Sequence, residues 1–152
     1  MTNNEQILSD LLSGDAKRIL DASHKVISCG ITNKRFLQDL YLNLHEIEDK
    51  TRNIHYGGGI LPNKRFVEKA IRMIRASITE ECLCEHLFEK YGQSGKSLER
   101  YGFILTEEKT EGYVTRSIIQ CSACNQHYEV QEKFTGGHVT TTEYRKVQGL
   151  CF

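Results

Sequence analysis

Residues 79–124, TEECLCEHLFEKYGQSGKSLERYGFILTEEKTEGYVTRSIIQCSAC, change the grammar of this chain and decide its fold. Before Thr79 the apolar residues recur at three- and four-residue intervals, the spacing of helices. After it come Thr, Tyr and Val in short alternating runs, the composition of a half-buried antiparallel sheet. The stretch also holds two cysteine pairs, Cys82-Leu83-Cys84 and Cys121-Ser122-Ala123-Cys124, with 36 residues between them. These features predict an α+β chain, with a helical subdomain over residues 1–78 and a zinc-bound antiparallel β subdomain over residues 79–152.

The cysteine pairs carry the chemistry. Four soft thiolates suit tetrahedral zinc, so Cys82, Cys84, Cys121 and Cys124 are the expected metal ligands. In the C-x2-C pair the two intervening residues let the backbone turn so that both sulfurs reach one ion. In the C-x-C pair an extended backbone would place both side chains on the same side. His86 is an alternative ligand, giving a Cys3His site with Cys84, Cys121 and Cys124, and His127 is a second substitute. A catalytic zinc would need an open coordination position and a base. Glu85 is adjacent, yet no His-x-Glu occurs and no proline precedes Cys121, so the deaminase arrangement is absent and a closed structural site is expected. A redox role for Cys121 and Cys124 would call for a βαβ setting, which the surrounding residues do not supply. Cys29 reads as core, and Cys151 has no partner by spacing.

Outward from the cysteines, Tyr101–Lys109 and Tyr113–Cys121 are expected to pair around Thr110-Glu111-Gly112. Tyr128–Phe134 and His138–Val147 are expected to pair around Gly136-Gly137, and residues 91–96 to form an exposed loop. Upstream, one helix is expected over Glu5–Leu12, and a second from Asp15 with Ile19, Ala22, Val26 and Ile27 inward and Gly30 as its stop. A third follows the N-cap Asn33 and carries Leu37, Leu40, Tyr41, Leu44 and Ile47. Gly57-Gly58-Gly59 and Pro62, the only proline, interrupt helicity before Asn63 caps a fourth helix with Phe66, Val67, Ala70, Ile71 and Ile74 on its inner face.

Lys+Arg and Asp+Glu both total 20, so the overall balance does not call for nucleic acid or an anionic membrane. The halves differ slightly: residues 1–78 hold 12 basic and 9 acidic side chains, residues 79–152 hold 8 and 11. Lys64, Arg65, Lys69, Arg72 and Arg75 on the fourth helix make a basic face, from which Arg65, Lys69 and Arg72 are the candidate partner-binding residues. The first residues lack a basic segment followed by an apolar run, and no 18 successive residues are apolar, so a cytoplasmic chain with reduced thiols is expected. No nucleophile elbow, paired-carboxylate signature or metalloprotease helix is present, and Gly57-Gly58-Gly59 lacks the residues of a phosphate-binding loop. A non-enzymatic protein is expected, with no catalytic residues.

The order of a short helix, the Ser13-Gly14-Asp15-Ala16 turn, paired helices, a glycine loop and a further long helix resembles HEAT-type helical repeats over residues 7–78. Helices of this kind joined to a cysteine-bearing β module also resemble the bacterial immunity proteins of polymorphic-toxin and contact-dependent inhibition systems. That resemblance implies a protein that neutralises a cognate toxin domain by stoichiometric complex formation. The alternative is a zinc-ribbon-like nucleic-acid adapter using the basic helix and exposed tyrosines. Its weakness is that the cysteine-bearing half is the acidic one.

Overall fold

A computed structural model describes residues 2–136 and 140–148. His138, Cys151 and Gly137 of the expected Gly136-Gly137 turn lie outside the described residues. The chain divides into two compact units, Met1–His86 and Leu87–Phe152, so the compositional change at Thr79 precedes the structural division.

The first unit holds five helices: α1 (Asn3–Leu11), α2 (Ala16–Ser28), α3 (Lys34–Tyr41), α4 (Leu44–Thr51) and α5 (Lys64–Ala76). Thr2 and Glu5 form a reciprocal capping box on α1, while Asp15 and Asn33 accept from the first-turn amides of α2 and α3. The single third helix expected from the Leu37-to-Ile47 stripe is two helices. At Leu42-Asn43 the backbone tightens to bonds three residues back, Leu42 N–H to the Asp39 oxygen and Asn43 N–H to the Leu40 oxygen. Periodicity could not reveal this break, because Leu40 and Ile47 are buried on either side of it while Leu42 points to solvent.

Two capping expectations also change. Gly30 does not adopt a left-handed stop; Cys29 ends α2 in right-handed geometry. Gly30 is instead a point of close approach, since an added Cβ would sit 2.1 Å from Met73 Cε. Asn63 makes no side-chain cap on α5; its amide donates to the Tyr56 carbonyl at 3.2 Å and stitches the glycine loop shut. The core of the unit is aliphatic, with α2 packed mainly on α5 and α1 on α2. Ile19, Val26, Leu37, Ile47, Ala70, Met73 and Ile74 are all but fully buried.

The second unit is a four-stranded antiparallel meander in the order β1 (Phe103–Glu111), β2 (Val114–Cys121), β3 (His127–Phe134) and β4 (Thr140–Val147). The two expected hairpins are present and a third joins them, because β2 and β3 pair through the Cys121–Cys124 turn. The β1–β2 loop is the two residues Gly112-Tyr113, with Gly112 at φ 59°, rather than Thr110-Glu111-Gly112. One sheet face carries Phe103, Ser117, Ile119, Cys121, Tyr128, Val130 and Thr142, all buried.

Residues 87–101 cover that face, so the exposed loop expected at residues 91–96 holds for Tyr91, Gly92 and Lys96 and is corrected for Gln93 and Gly95, which are buried. Phe88 stacks on Tyr144 at 4.2 Å between centroids and meets Tyr128 edge-on at 4.9 Å. Gly95 is buried because Ser117 leaves no room for a Cβ, which would come within 2.6 Å of its own. Gln93, only 4% exposed, donates to the Leu87 carbonyl at 3.0 Å and accepts from the Glu89 amide at 2.9 Å. Thr142 donates to the Gln93 carbonyl at 2.8 Å. The Tyr144 hydroxyl donates toward the Glu89 carbonyl at 2.7 Å and meets Gln93 Oε1. The buried part of this loop, Gln93 and Gly95, thus has its hydrogen-bonding groups engaged, as burial of polar atoms demands, while Tyr91, Gly92 and Lys96 remain exposed.

Candidate metal centre

The β2–β3 turn is built to present two sulfurs. Cys121 N–H donates to the Gln126 carbonyl at 2.9 Å, and Asn125 N–H returns to the Cys121 carbonyl at 2.9 Å. Closing so tight a turn requires a left-handed residue, and Asn125 supplies it at φ 62°. Ser122 N–H donates to the Gly102 carbonyl at 3.1 Å, which ties the turn to the start of β1. The other pair lies on the segment leading into the 3-10 turn Cys84–Leu87. This segment is bent rather than extended, with His86 N–H closing on the Leu83 carbonyl at 3.0 Å. Leu83 between the two cysteines is buried.

The ligand atoms of Cys82, Cys84, Cys121 and Cys124 all lie within 4.8 Å of one another. Metal–sulfur bonds of about 2.3 Å in a tetrahedron put the sulfurs roughly 3.8 Å apart, so these four are within reach of a single ion. Cys84 and Cys121 are buried, Cys82 is half-buried and Cys124 is exposed. Packing of reduced cysteines as small hydrophobes would bury all four, and it gives no reason for an exposed Cys124 to join the cluster. Among the described residues the cluster consists of cysteines alone.

His86 is outside it. The residue is half-buried, and burial, followed by the nearby Arg72 charge, pushes its imidazole below the ordinary histidine value. His127 pairs with Gln120 and Val147 in the sheet, one residue out of phase with buried Tyr128, and so belongs to the opposite sheet face from Cys121 and Ile119. Cys29 sits at the end of α2, where burial pushes its thiol up, away from the thiolate form that a metal or a nucleophile needs.

The three basic residues singled out on α5 do not share one surface. Lys69 is 4% exposed and belongs to the buried side, which is a correction to the basic-face reading. Its position explains this: Lys69 is four residues before buried Met73 and two after buried Val67, inside an arc wider than the expected stripe. The Arg65 guanidinium lies over the Phe66 ring at 4.1 Å from the centroid and is half-buried, whereas Arg72 is exposed. Sequence reasoning missed Met73, although it falls seven residues after Phe66, and it missed Asn125, although asparagine is the commonest non-glycine residue in left-handed turns.

No family model, curated protein or solved structure matches the chain. Among the described residues no helix is long and apolar enough to cross a membrane.

Proposed function

We propose that this chain is a protein-binding inhibitor of the immunity type, whose β unit is organised by one zinc ion held by Cys82, Cys84, Cys121 and Cys124. The observation that carries the reading is the all-thiolate cluster, with four sulfurs within 4.8 Å. Four protein ligands complete a tetrahedral zinc and leave no position for water or substrate, so the ion would serve structure rather than turnover. Its contribution would be to fix the Cys82–Cys84 segment against the β2–β3 turn.

The immunity reading rests on a resemblance in build, a helical unit followed by a cysteine-bearing antiparallel sheet. It is supported by the lack of any acid–base or nucleophile constellation in the sequence. Inhibition would proceed by covering a complementary patch on a toxic protein domain, with charge setting the encounter rate and register more than affinity. The test is co-expression in the native cell. The chain should protect in proportion to its abundance, and a cognate protein should co-purify at a fixed ratio. Protection without a physical complex, or turnover of a small molecule that persists through purification and disappears with the metal, would defeat the proposal. Salt-sensitive binding to oligonucleotides would favour the nucleic-acid adapter instead.

A further inference from the structure

The limb that brings Cys82 and Cys84 to the cluster is held by α3. Lys34 Nζ donates to the Thr79 carbonyl at 2.5 Å and to the Glu81 carbonyl at 2.7 Å, across 45 and 47 residues of sequence. One turn further along the same helix, Gln38 Nε2 donates to the Ser77 carbonyl at 3.0 Å. Two side chains thus take the alternate carbonyls of residues 77, 79 and 81, and the next residue is the first cysteine. All of these groups lie inside Met1–His86.

The Glu81 oxygen matters most for the ligand. A peptide unit is planar, so holding that oxygen orients the plane that ends at the Cys82 Cα. Beyond it, Leu83 is buried and its carbonyl accepts from His86 N–H at 3.0 Å, which shapes the turn carrying Cys84. Cys82 therefore sits between two fixed points. Charge is the second argument. Four thiolates on a divalent ion leave two negative charges, and Lys34 brings an ammonium to the peptide bond just ahead of Cys82. Helix formation does not account for a lysine at this place. Lys34 is the first residue of α3, where a cation opposes the helix dipole, and the first turn holds no acidic residue to offset it.

We propose that Lys34 is a positioning residue of the metal centre, which pre-sets Cys82 for capture of a divalent ion and partly offsets the negative charge of the four thiolates. This rests on the zinc reading above and adds to it a side chain that cysteine spacing could not reveal. Groups that orient metal ligands without touching the metal are worth about 10–100-fold in affinity.

The experiment uses the full chain, freed of metal under reducing conditions and titrated with cobalt(II) and with zinc against a chromophoric chelator. Wild type should take one ion per chain and show the visible absorption of a tetrahedral cobalt–thiolate site. Lys34→Met keeps an unbranched stem and a comparable helix propensity but removes the donors and the charge. It should give the same absorption and bind about 10–100-fold more weakly. Its metal-free stability, from denaturation followed by helical circular dichroism, should not fall. Thr79 and Glu81 are exposed, so water replaces the ammonium, and an unfavourable dipole contact is relieved. Lys34→Arg, which keeps charge and donors, should stay closer to wild type than Lys34→Met. Unchanged affinity in Lys34→Met overturns the positioning role and leaves the metal site standing. So does a loss of affinity matched by an equal loss of metal-free stability, the mark of a merely structural residue, and so does Lys34→Arg binding as weakly as Lys34→Met. A wild type that takes up neither ion overturns the zinc reading and the positioning role with it.

Discussion

Among the described residues of Met1–His86 the buried side chains are mostly aliphatic, from Ile7 and Leu11 to Met73 and Ile74, with hydroxyls such as Ser23 and Thr51 satisfied by carbonyls one turn back. In Leu87–Phe152 buried leucine and isoleucine are fewer, and the interior includes Gln93, Ser117, Thr142 and the aromatic group around Phe88. A sheet of four short strands offers one face for burial, so its apolar area is limited. The β unit compensates with directional bonds, a closed polar network under β4, and its β2–β3 turn contributes Cys121 and Cys124 to the sulfur cluster. The helical unit can lose one contact and keep its core. The β unit depends on a few groups that act together.

Removing the metal site should break this comparison most completely. Structural zinc contributes apparent binding energies of about 10–16 kcal/mol in small domains, more than the total stability of most domains of this size. Chelation, or Cys121→Ser/Cys124→Ser, should abolish zinc binding and strip amide protection from β1–β4 while α1, α2 and α5 stay protected. Elemental analysis of protein purified without chelator, together with hydrogen exchange resolved by segment, checks both halves. A protein that holds no zinc and whose sheet remains protected in the double variant would return the cysteines to the role of packing residues. Release of the metal by His86→Ala alone would place the histidine among the ligands after all.

In the helical unit the effects should be graded by burial. Leu40 is 2% exposed, so Leu40→Ala should cost about 2–5 kcal/mol. Leu44, on the same sequence stripe, is only half-buried because the chain breaks before it, and its truncation should cost clearly less, on the order of 1 kcal/mol. Leu42→Ala, at an 84% exposed position, should stay within about 0.5 kcal/mol. Chemical denaturation decides the order. Equal losses at Leu40 and Leu44 would mean that the α3–α4 break does not separate them in solution.

What the sequence made legible follows from these same differences. Helices declare themselves by periodicity over many residues, and the strands by alternation, so both fold classes and the four clustered cysteines could be read directly. Local departures could not. The break at Leu42-Asn43 keeps the stripe in phase, and the burial of Lys69 depends on how wide an arc α2 and its neighbours cover on α5. The segment at residues 91–96 is rich in Gly and Ser, the composition of an exposed loop. Its Gln93 and Gly95 are buried nonetheless, and Gln93 is held by Thr142 and Tyr144 through bonds spanning about fifty residues that no local pattern encodes.

That network supplies the smallest and most specific test. Burial pushes the Tyr144 hydroxyl well above the ordinary tyrosine value, and the Glu89 backbone hydrogen bond only partly offsets this. An unfolded tyrosine ionises near pH 10, so the folded state, which keeps its proton longer, loses stability as pH rises above that value. The contribution of the hydroxyl is fully present below about pH 10 and declines above it. Tyr144→Phe keeps the stacking on Phe88 but removes a partner from Glu89 and Gln93, which should cost about 1–3 kcal/mol near neutral pH. Above about pH 10 the gap between wild type and variant should narrow, because only the wild type has this proton to lose. Denaturation at neutral and alkaline pH, with hydrogen exchange at residues 89–93, measures both effects. A gap that stays constant across the range would mean that the Tyr144 hydroxyl is open to water, and the β unit would then owe its order to the sulfur cluster and the aromatic group alone.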